Sequence, residues 1–255
     1  MNYVIHTDFA THSPRIQEIV AKFNTEGTMF ADGTRNKIKT FSMDDTTVNV
    51  KSFKVPNFFN KIVYRFFREG KAQRSYENAN ALLNMGIGTP KPIAFFENRT
   101  ALSLLDSYYM SEQMLPDLTY RQLIEIPDYP EHDIILRQFT QFTYLLHQKG
   151  IEFKDHTPGN TLIKKTGAQR YEFFLVDLNR MAFHSKPLSL KKGIINMSRL
   201  TPENHLVEVM SDEYAKLCGA SYDEVLSLMT KYTQYFANRF HRKRAIKRAL
   251  GLRKK

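Results

Sequence analysis

The hydrophobic period of this chain changes along its length, and that change limits the fold more than any other feature. Residues 28–31, 36–42 and 47–53 read as strands, with a turn at Asp32-Gly33; the last alternates, so Val48 and Val50 share one face and Asn49 and Lys51 the other. Further short strands are expected at 93–96, 101–105 and 108–111. Residues 131–149 instead carry Ile135, Phe139, Phe142, Leu145 and Leu146 at helical spacing, closed by Gly150. Two helices flank the strands. One is opened by Ser13-Pro14 and carries Ile16, Ile19, Val20 and Phe23; the other covers 68–85, packs Tyr76, Ala79, Leu82 and Leu83, and ends at Gly86. A sheet-rich half followed by a helical half implies an α+β fold with two lobes. Met114-Leu115-Pro116-Asp117 breaks the pattern, which places an N-terminal lobe at 1–112 and a C-terminal lobe at 113–255, the latter ending in a basic tail, 239–255. The second half opens with a short helix at 119–124, and a helix at 222–236 with a basic extension to about 250 closes the chain.

Composition removes several classes. With 255 residues, 42% hydrophobic and 25% charged, the chain can bury a core and is not largely disordered. A single cysteine, Cys218, excludes an intrachain disulfide framework and a cysteine-rich zinc site. No apolar run approaches the roughly 18 residues of a membrane span, and the N-terminus lacks the pattern of a secretory signal, so a cytoplasmic location is expected. The net charge of +11 is uneven. Eight basic residues and no acid follow from Arg242 onward, leaving +3 for the rest, and a second basic stretch runs from Lys51 to Arg74 against the single acid Glu69. Such patches fit a polyanion: nucleotide phosphates, nucleic acid or an anionic membrane surface; a solvated tail and helix face is the plain alternative.

The residues that carry chemistry lie in the second half. Asp155 and Asn160 bracket a Pro158-Gly159 turn, and the apolar strand 171–176 ends at Asp177. Two carboxylates and an amide suit Mg²⁺, which takes one or two carboxylates and keeps phosphate or water ligands. They also suit phosphoryl transfer, in which one Asp accepts the proton of the attacking hydroxyl while the other groups hold the metal. Upstream, Lys51 on a strand and Glu77 on the next helix could supply a phosphate clamp and its ion-pair partner. Each residue alone is ordinary. Their order, Lys, Glu, Asp-x-x-x-x-Asn, Asp, is what is specific.

Three stretches together resemble the lipopolysaccharide kinases of the Kdo/heptose kinase family, small relatives of the protein-kinase fold. They are Val50-Lys51-Ser52-Phe53-Lys54; Arg74-Ser75-Tyr76-Glu77-Asn78-Ala79 running into Gly88-Thr89-Pro90-Lys91-Pro92; and Lys154-Asp155-His156-Thr157-Pro158-Gly159-Asn160 with Val176-Asp177. The resemblance spans residues 36–183. It implies a two-lobed protein-kinase-like fold with ATP and Mg²⁺ as cofactors. It further implies Lys51 on the α and β phosphates, Glu77 paired with Lys51, Asp155 as catalytic base, Asn160 and Asp177 as metal ligands, and Glu112 to Met114 as the segment whose backbone meets adenine. Lys54 is the rival to Lys51, but it has the opposite strand parity and Pro56 follows it closely. The implied acceptor is a sugar hydroxyl, Kdo or heptose, on a lipopolysaccharide precursor glycolipid, with an anionic inner-membrane surface as a partner of the tail.

The sequence also departs from the protein-kinase pattern. There is no Gly-x-Gly-x-x-Gly; only Gly27 and Asp32-Gly33-Thr34 lie where a phosphate-covering loop belongs. Phe153-Lys154 precedes Asp155 in place of His-Arg, Leu178-Asn179 follows Asp177, and no Ala-Pro-Glu occurs later, which argues against a protein-docking platform. A protein, an antibiotic or another small alcohol stays open as acceptor, as does a catalytically silent scaffold. A nucleic-acid partner is not expected, because most of the 19 Phe and 13 Tyr fall at core-like positions. His147 is read as a packing or helix-end residue, and His156 as a turn residue or substrate contact.

Overall fold

The computed structural model describes residues 2–33, 36–53, 69–99 and 104–249. Lys54, Thr34, Arg68, the first part of the strand expected at 101–105 and the end of the tail lie outside the described residues. The chain divides into two compact units. The first comprises Met1–Leu115 and Leu175–Arg180, the second Pro116–Phe174 and Met181–Lys255.

The first unit is built on an antiparallel sheet. Its strands are β1 (Asn2–Ile5), β2 (Thr28–Asp32), β3 (Asn36–Met43), β4 (Thr46–Phe53), β5 (Pro92–Arg99) and β6 (Leu104–Glu112), in the order β1-β5-β6-β4-β3-β2. The strands expected at 101–105 and 108–111 are one strand, β6, among the described residues. β1 was not foreseen; it pairs with β5 from Asn2 opposite Glu97 to Ile5 opposite Ala94. Strand parity sorts the two faces. Val48 and Val50, fully buried, pack with Phe41, Ile93, Met110 and Phe23 beneath α1 (Ser13–Ala21), which supplies Ile16, Ile19 and Val20. Ser13 is the first residue of that helix rather than its cap, and Pro14 fixes the entry.

Phe53 and Phe95 point to the opposite face, where Ala72 and Tyr76 of α2 (Lys71–Asn84) cover them. α2 stops because Gly86 takes φ +71°, letting the Ile87 N–H reach the Leu82 carbonyl at 2.9 Å and burying Ile87. Nothing crowds a side chain there, so the requirement is one of backbone conformation.

The second unit is mainly helical. Thr119 and Gln122 form a reciprocal capping box that starts α3 (Tyr120–Glu125). α4 (His132–Gln148) buries Ile135, Leu136, Phe139 and Leu146, the expected stripe shifted slightly around the helix, since Leu145 is exposed. Ile135, Leu136 and Phe139 pack with Tyr120, Met210, Tyr214, Val225 and Met229, and full burial of each large apolar side chain contributes about 1.5–3 kcal/mol. β7 (Leu118–Thr119), β9 (Thr161–Gly167) and β10 (Arg170–Leu175) make a small sheet, and β8 (Ile151–Phe153) pairs with β11 (Met181–Phe183). Two helices escaped the sequence reading, α5 (Leu190–Met197) and α6 (Asn204–Cys218). Their signals were present: Leu190, Ile194 and Met197 at i, i+4, i+7, and Leu206, Met210 and Tyr214 at i, i+4, i+8 ahead of a helix-ending Gly219 at φ +71°. α7 (Tyr222–Ala249) is one continuous helix, not a helix plus an extension; the Ser221 hydroxyl accepts from the Glu224 N–H at its start.

Candidate active site

In the first unit, β4 brings Lys51 onto the face covered by α2, as its parity with Phe53 requires. Its ammonium donates to Oδ1 of Asp177 at 2.6 Å and lies over the Phe53 ring, 5.3 Å from the centroid. The Lys51 side chain is only 12% exposed and that of Asp177 32% exposed, so the pair is partly desolvated while one carboxylate face meets solvent. Asn179 Nδ2 donates to the same Oδ1 at 2.7 Å. Asp177 itself sits in the left-handed region, φ +60°, a conformation that costs a residue with a side chain about 1 kcal/mol or more and is kept only where its surroundings impose it.

The Lys51–Glu77 ion pair implied by the family resemblance is not formed: Lys51 is paired with Asp177, and Glu77 accepts from Gln73 Nε2 at 2.8 Å, one turn away on α2. Glu77 also faces Glu69, whose carboxyl is pushed up by burial and by the Glu77 charge. Two acids side by side repel, so a cation near Glu77 would relieve both.

Glu112 ends β6, with its N–H donating to the Lys91 carbonyl at 2.9 Å. Gln113 donates through its N–H to Thr47 O, through Nε2 to Met114 O at 2.9 Å, and accepts from Asn49 Nδ2 at 2.7 Å. The segment 112–114 is therefore anchored to the start of β4, two turns of the strand pleat from Lys51.

In the second unit, β8 leads into the turn that carries Asp155, and the short 3₁₀ turn Pro158–Asn160 follows. Asn160 Nδ2 donates to the Asp155 carbonyl at 2.8 Å, which fixes the amide and turns its oxygen away from that bond. Arg199, singled out by no sequence signal, donates to the Lys154 carbonyl at 2.6 Å, and its guanidinium lies 3.9 Å from Asp155 Oδ1. The Phe236 ring of α7 supports it from 5.3 Å. Neither basic stretch of the sequence, Lys51 to Arg74 or Arg242 onward, includes it.

His156 is not a substrate contact. It is fully buried between the Phe139 and Phe153 rings, and neither ring nitrogen has a hydrogen-bond partner among the described residues. Burial, reinforced by His147, lowers its pKa to about 3. His147 is buried too. Its Nδ1 lies 2.9 Å from the Tyr214 hydroxyl and its Nε2 3.3 Å from Asn196 Oδ1, while Asn196 Nδ2 donates to the Phe153 carbonyl. Both imidazoles are thus framework under the Asp155 turn rather than bases.

The donor chemistry is compatible with Mg²⁺ and a nucleotide. In the first unit Asp177 has Lys51 and Asn179 on Oδ1 and no bond on Oδ2 among the described residues, and one or two carboxylates with phosphates and water suffice for Mg²⁺. In the second unit the Asn160 amide oxygen is, taken by itself, a donor of the same hard kind. Among the described residues no group of three or more His, Cys, Asp or Glu side chains is placed to hold a metal ion. No helix among the described residues is long and apolar enough to cross a membrane.

No protein-family model matches this sequence, and no curated protein matches it. Among solved structures the chain is similar to WaaP in complex with acyl carrier protein, with a TM-score of 0.66 and 12% identity, covering 94% of this chain and 99% of that one. The fold is therefore α+β and kinase-like, with an N-terminal antiparallel sheet and a helical C-terminal part.

Proposed function

We propose that this chain is an ATP- and Mg²⁺-dependent phosphotransferase that phosphorylates a sugar hydroxyl, Kdo or heptose, of the lipopolysaccharide inner core or a lipid A precursor. The observation that carries the phosphotransferase reading is the Lys51–Asp177 pair, set on a kinase-like fold by strand parity and a left-handed Asp177. In this reading Lys51 clamps the α and β phosphates once nucleotide binds, with Asp177 Oδ1 still beside its ammonium and Glu77 as a further acid to balance it. Asp177 and Asn160 hold the Mg²⁺ that neutralises the phosphates, and the segment 112–114 meets adenine through its backbone. Asp155 takes the proton from the acceptor hydroxyl. Arg199 keeps that carboxylate oriented and adds positive charge where an anionic sugar would sit. The two parts, 1–112 and 113–255, act as the nucleotide and catalytic lobes.

The sugar-lipid acceptor is supported by the sequence motifs and by the exposed basic residues of α7, which suit an anionic glycolipid or the inner face of a membrane. The attraction is electrostatic: Phe240 and Ile246 fall about 120° apart on the helix and form no common apolar face. Incubation with labelled ATP and a Kdo-bearing lipid A precursor tests the reading. Label should enter the glycolipid, and Asp155→Asn should abolish transfer while nucleotide binding persists. Transfer to protein or to a small alcohol but never to glycolipid would replace the acceptor and keep the chemistry.

A further inference from the structure

Asp177 is held in place by side chains that the phosphoryl-transfer chemistry does not itself use. The short segment that carries it is tied to the first unit on both sides of the carboxylate. Before it, the Leu175 N–H donates to Gly88 O at 2.9 Å and the Thr89 hydroxyl, itself buried, donates to Leu175 O at 2.8 Å. After it, Asn78 Nδ2, from α2, donates to Leu178 O at 2.6 Å. Leu175 and Leu178 are buried, so their side chains anchor the same segment from below. Asn78 and Thr89 belong to two motifs, the helix 74–79 and the Gly-Thr-Pro turn, but the sequence offered neither residue a chemical task.

We propose that Asn78 and Thr89 are positioning residues for Asp177. By fixing the carbonyls on either side of it they impose the left-handed backbone, which keeps Oδ1 on Lys51 and Asn179 and leaves Oδ2 for a divalent cation. This rests on the phosphotransferase reading, in which Asp177 is a metal ligand. It also gives α2 a role that does not pass through Glu77: a shift of the helix would move Leu178 and with it the carboxylate.

The test is titration of a fluorescent ATP analogue, with Mg²⁺ in excess and with EDTA, into the wild-type protein and into Asn78→Ala, Thr89→Val and Thr89→Ser. Melting temperatures serve as the check on folding. Loss of one such bond should weaken Mg²⁺-dependent binding about five- to tenfold in Asn78→Ala and Thr89→Val. Affinity in EDTA should stay close to wild type, and Thr89→Ser, which keeps the hydroxyl, should restore the Mg²⁺ response. Asn78 is only part-buried, so its variant serves even if Thr89→Val does not fold. Unchanged Mg²⁺ dependence in the folded variants overturns the proposal, as does an equal loss with and without Mg²⁺. A wild-type protein with no Mg²⁺-stimulated nucleotide binding overturns the phosphotransferase reading as well.

Discussion

Lowering the pH from 7 to 5 should destabilise this protein through the two buried imidazoles. His147 and His156 have pKa values lowered to about 4 and about 3 by burial, against an ordinary value near 6.5 in the unfolded chain. The folded state therefore binds fewer protons than the unfolded state throughout this range, and stability present above pH 6.5 is lost as the pH falls toward 4 and 3. At pH 5 the unfolded imidazoles are almost wholly protonated while the folded ones stay neutral, which costs about 2 kcal/mol for each relative to pH 7. Together that is about 4 kcal/mol, a large share of a typical total of about 5–15 kcal/mol. Carboxylates held low by cations, such as Glu18 by Lys22 and Arg15 or Asp212 by Lys216 and Arg137, release their contribution only below about pH 4.5, outside this window. Urea unfolding of wild type and His156→Leu at both pH values measures the effect. The variant removes one imidazole from a site that offers it no hydrogen bond, so its loss between pH 7 and 5 should be smaller than that of wild type by about 2 kcal/mol. Equal losses would refute the reasoning, as would imidazole NMR signals for His156 that titrate near pH 6.5.

Other perturbations address the rest of the molecule. Arg199→Gln should lower the rate of phosphate transfer about tenfold with ATP affinity unchanged, because it acts on Asp155 and not on the nucleotide; steady-state kinetics with separate nucleotide binding checks this. Gly193→Ala should be destabilising, since a methyl group there would stand 2.4 Å from the Tyr214 hydroxyl and 2.8 Å from His147 Nδ1. A cost of about 2 kcal/mol would lower the melting temperature by roughly 4–8 °C, measured calorimetrically. Removal of residues 239–255 should abolish co-sedimentation with anionic phosphatidylglycerol vesicles at low salt while leaving phosphate transfer to a soluble acceptor intact.

The strand period around Val48 and Val50 was legible because a half-buried sheet forces alternation, and with it came the face on which Lys51 lies. The stripe on α4 was legible for the same reason at the helical period. α5 and α6 carry equally regular apolar stripes at that period. β1 carried no usable signal: four residues at the chain start, mostly exposed, become a strand only because β5 offers them an edge. Lys51, Asp155, Asn160 and Asp177 are singled out as candidates by their order in the sequence, whereas Arg199 lies far from Asp155 in sequence and shows no pattern of its own.

What the sequence determined by itself is therefore local: which residues face together, where helices must stop, and which acids and amides share a turn. Pairings were decided only by the folded structure. Lys51 could have met Glu77 or Asp177, both acids of the right charge, and composition does not choose between them. The choice followed from distant hydrogen bonds, Asn78 to Leu178 and Thr89 to Leu175, which bring a segment 126 residues along the chain to the ammonium and hold its backbone in a conformation that local preference disfavours. His156 shows the same limit from the other side. Its neighbours in sequence made it a plausible site residue, and only the packing of Phe139 and Phe153 around it, which removes it from water, made it framework.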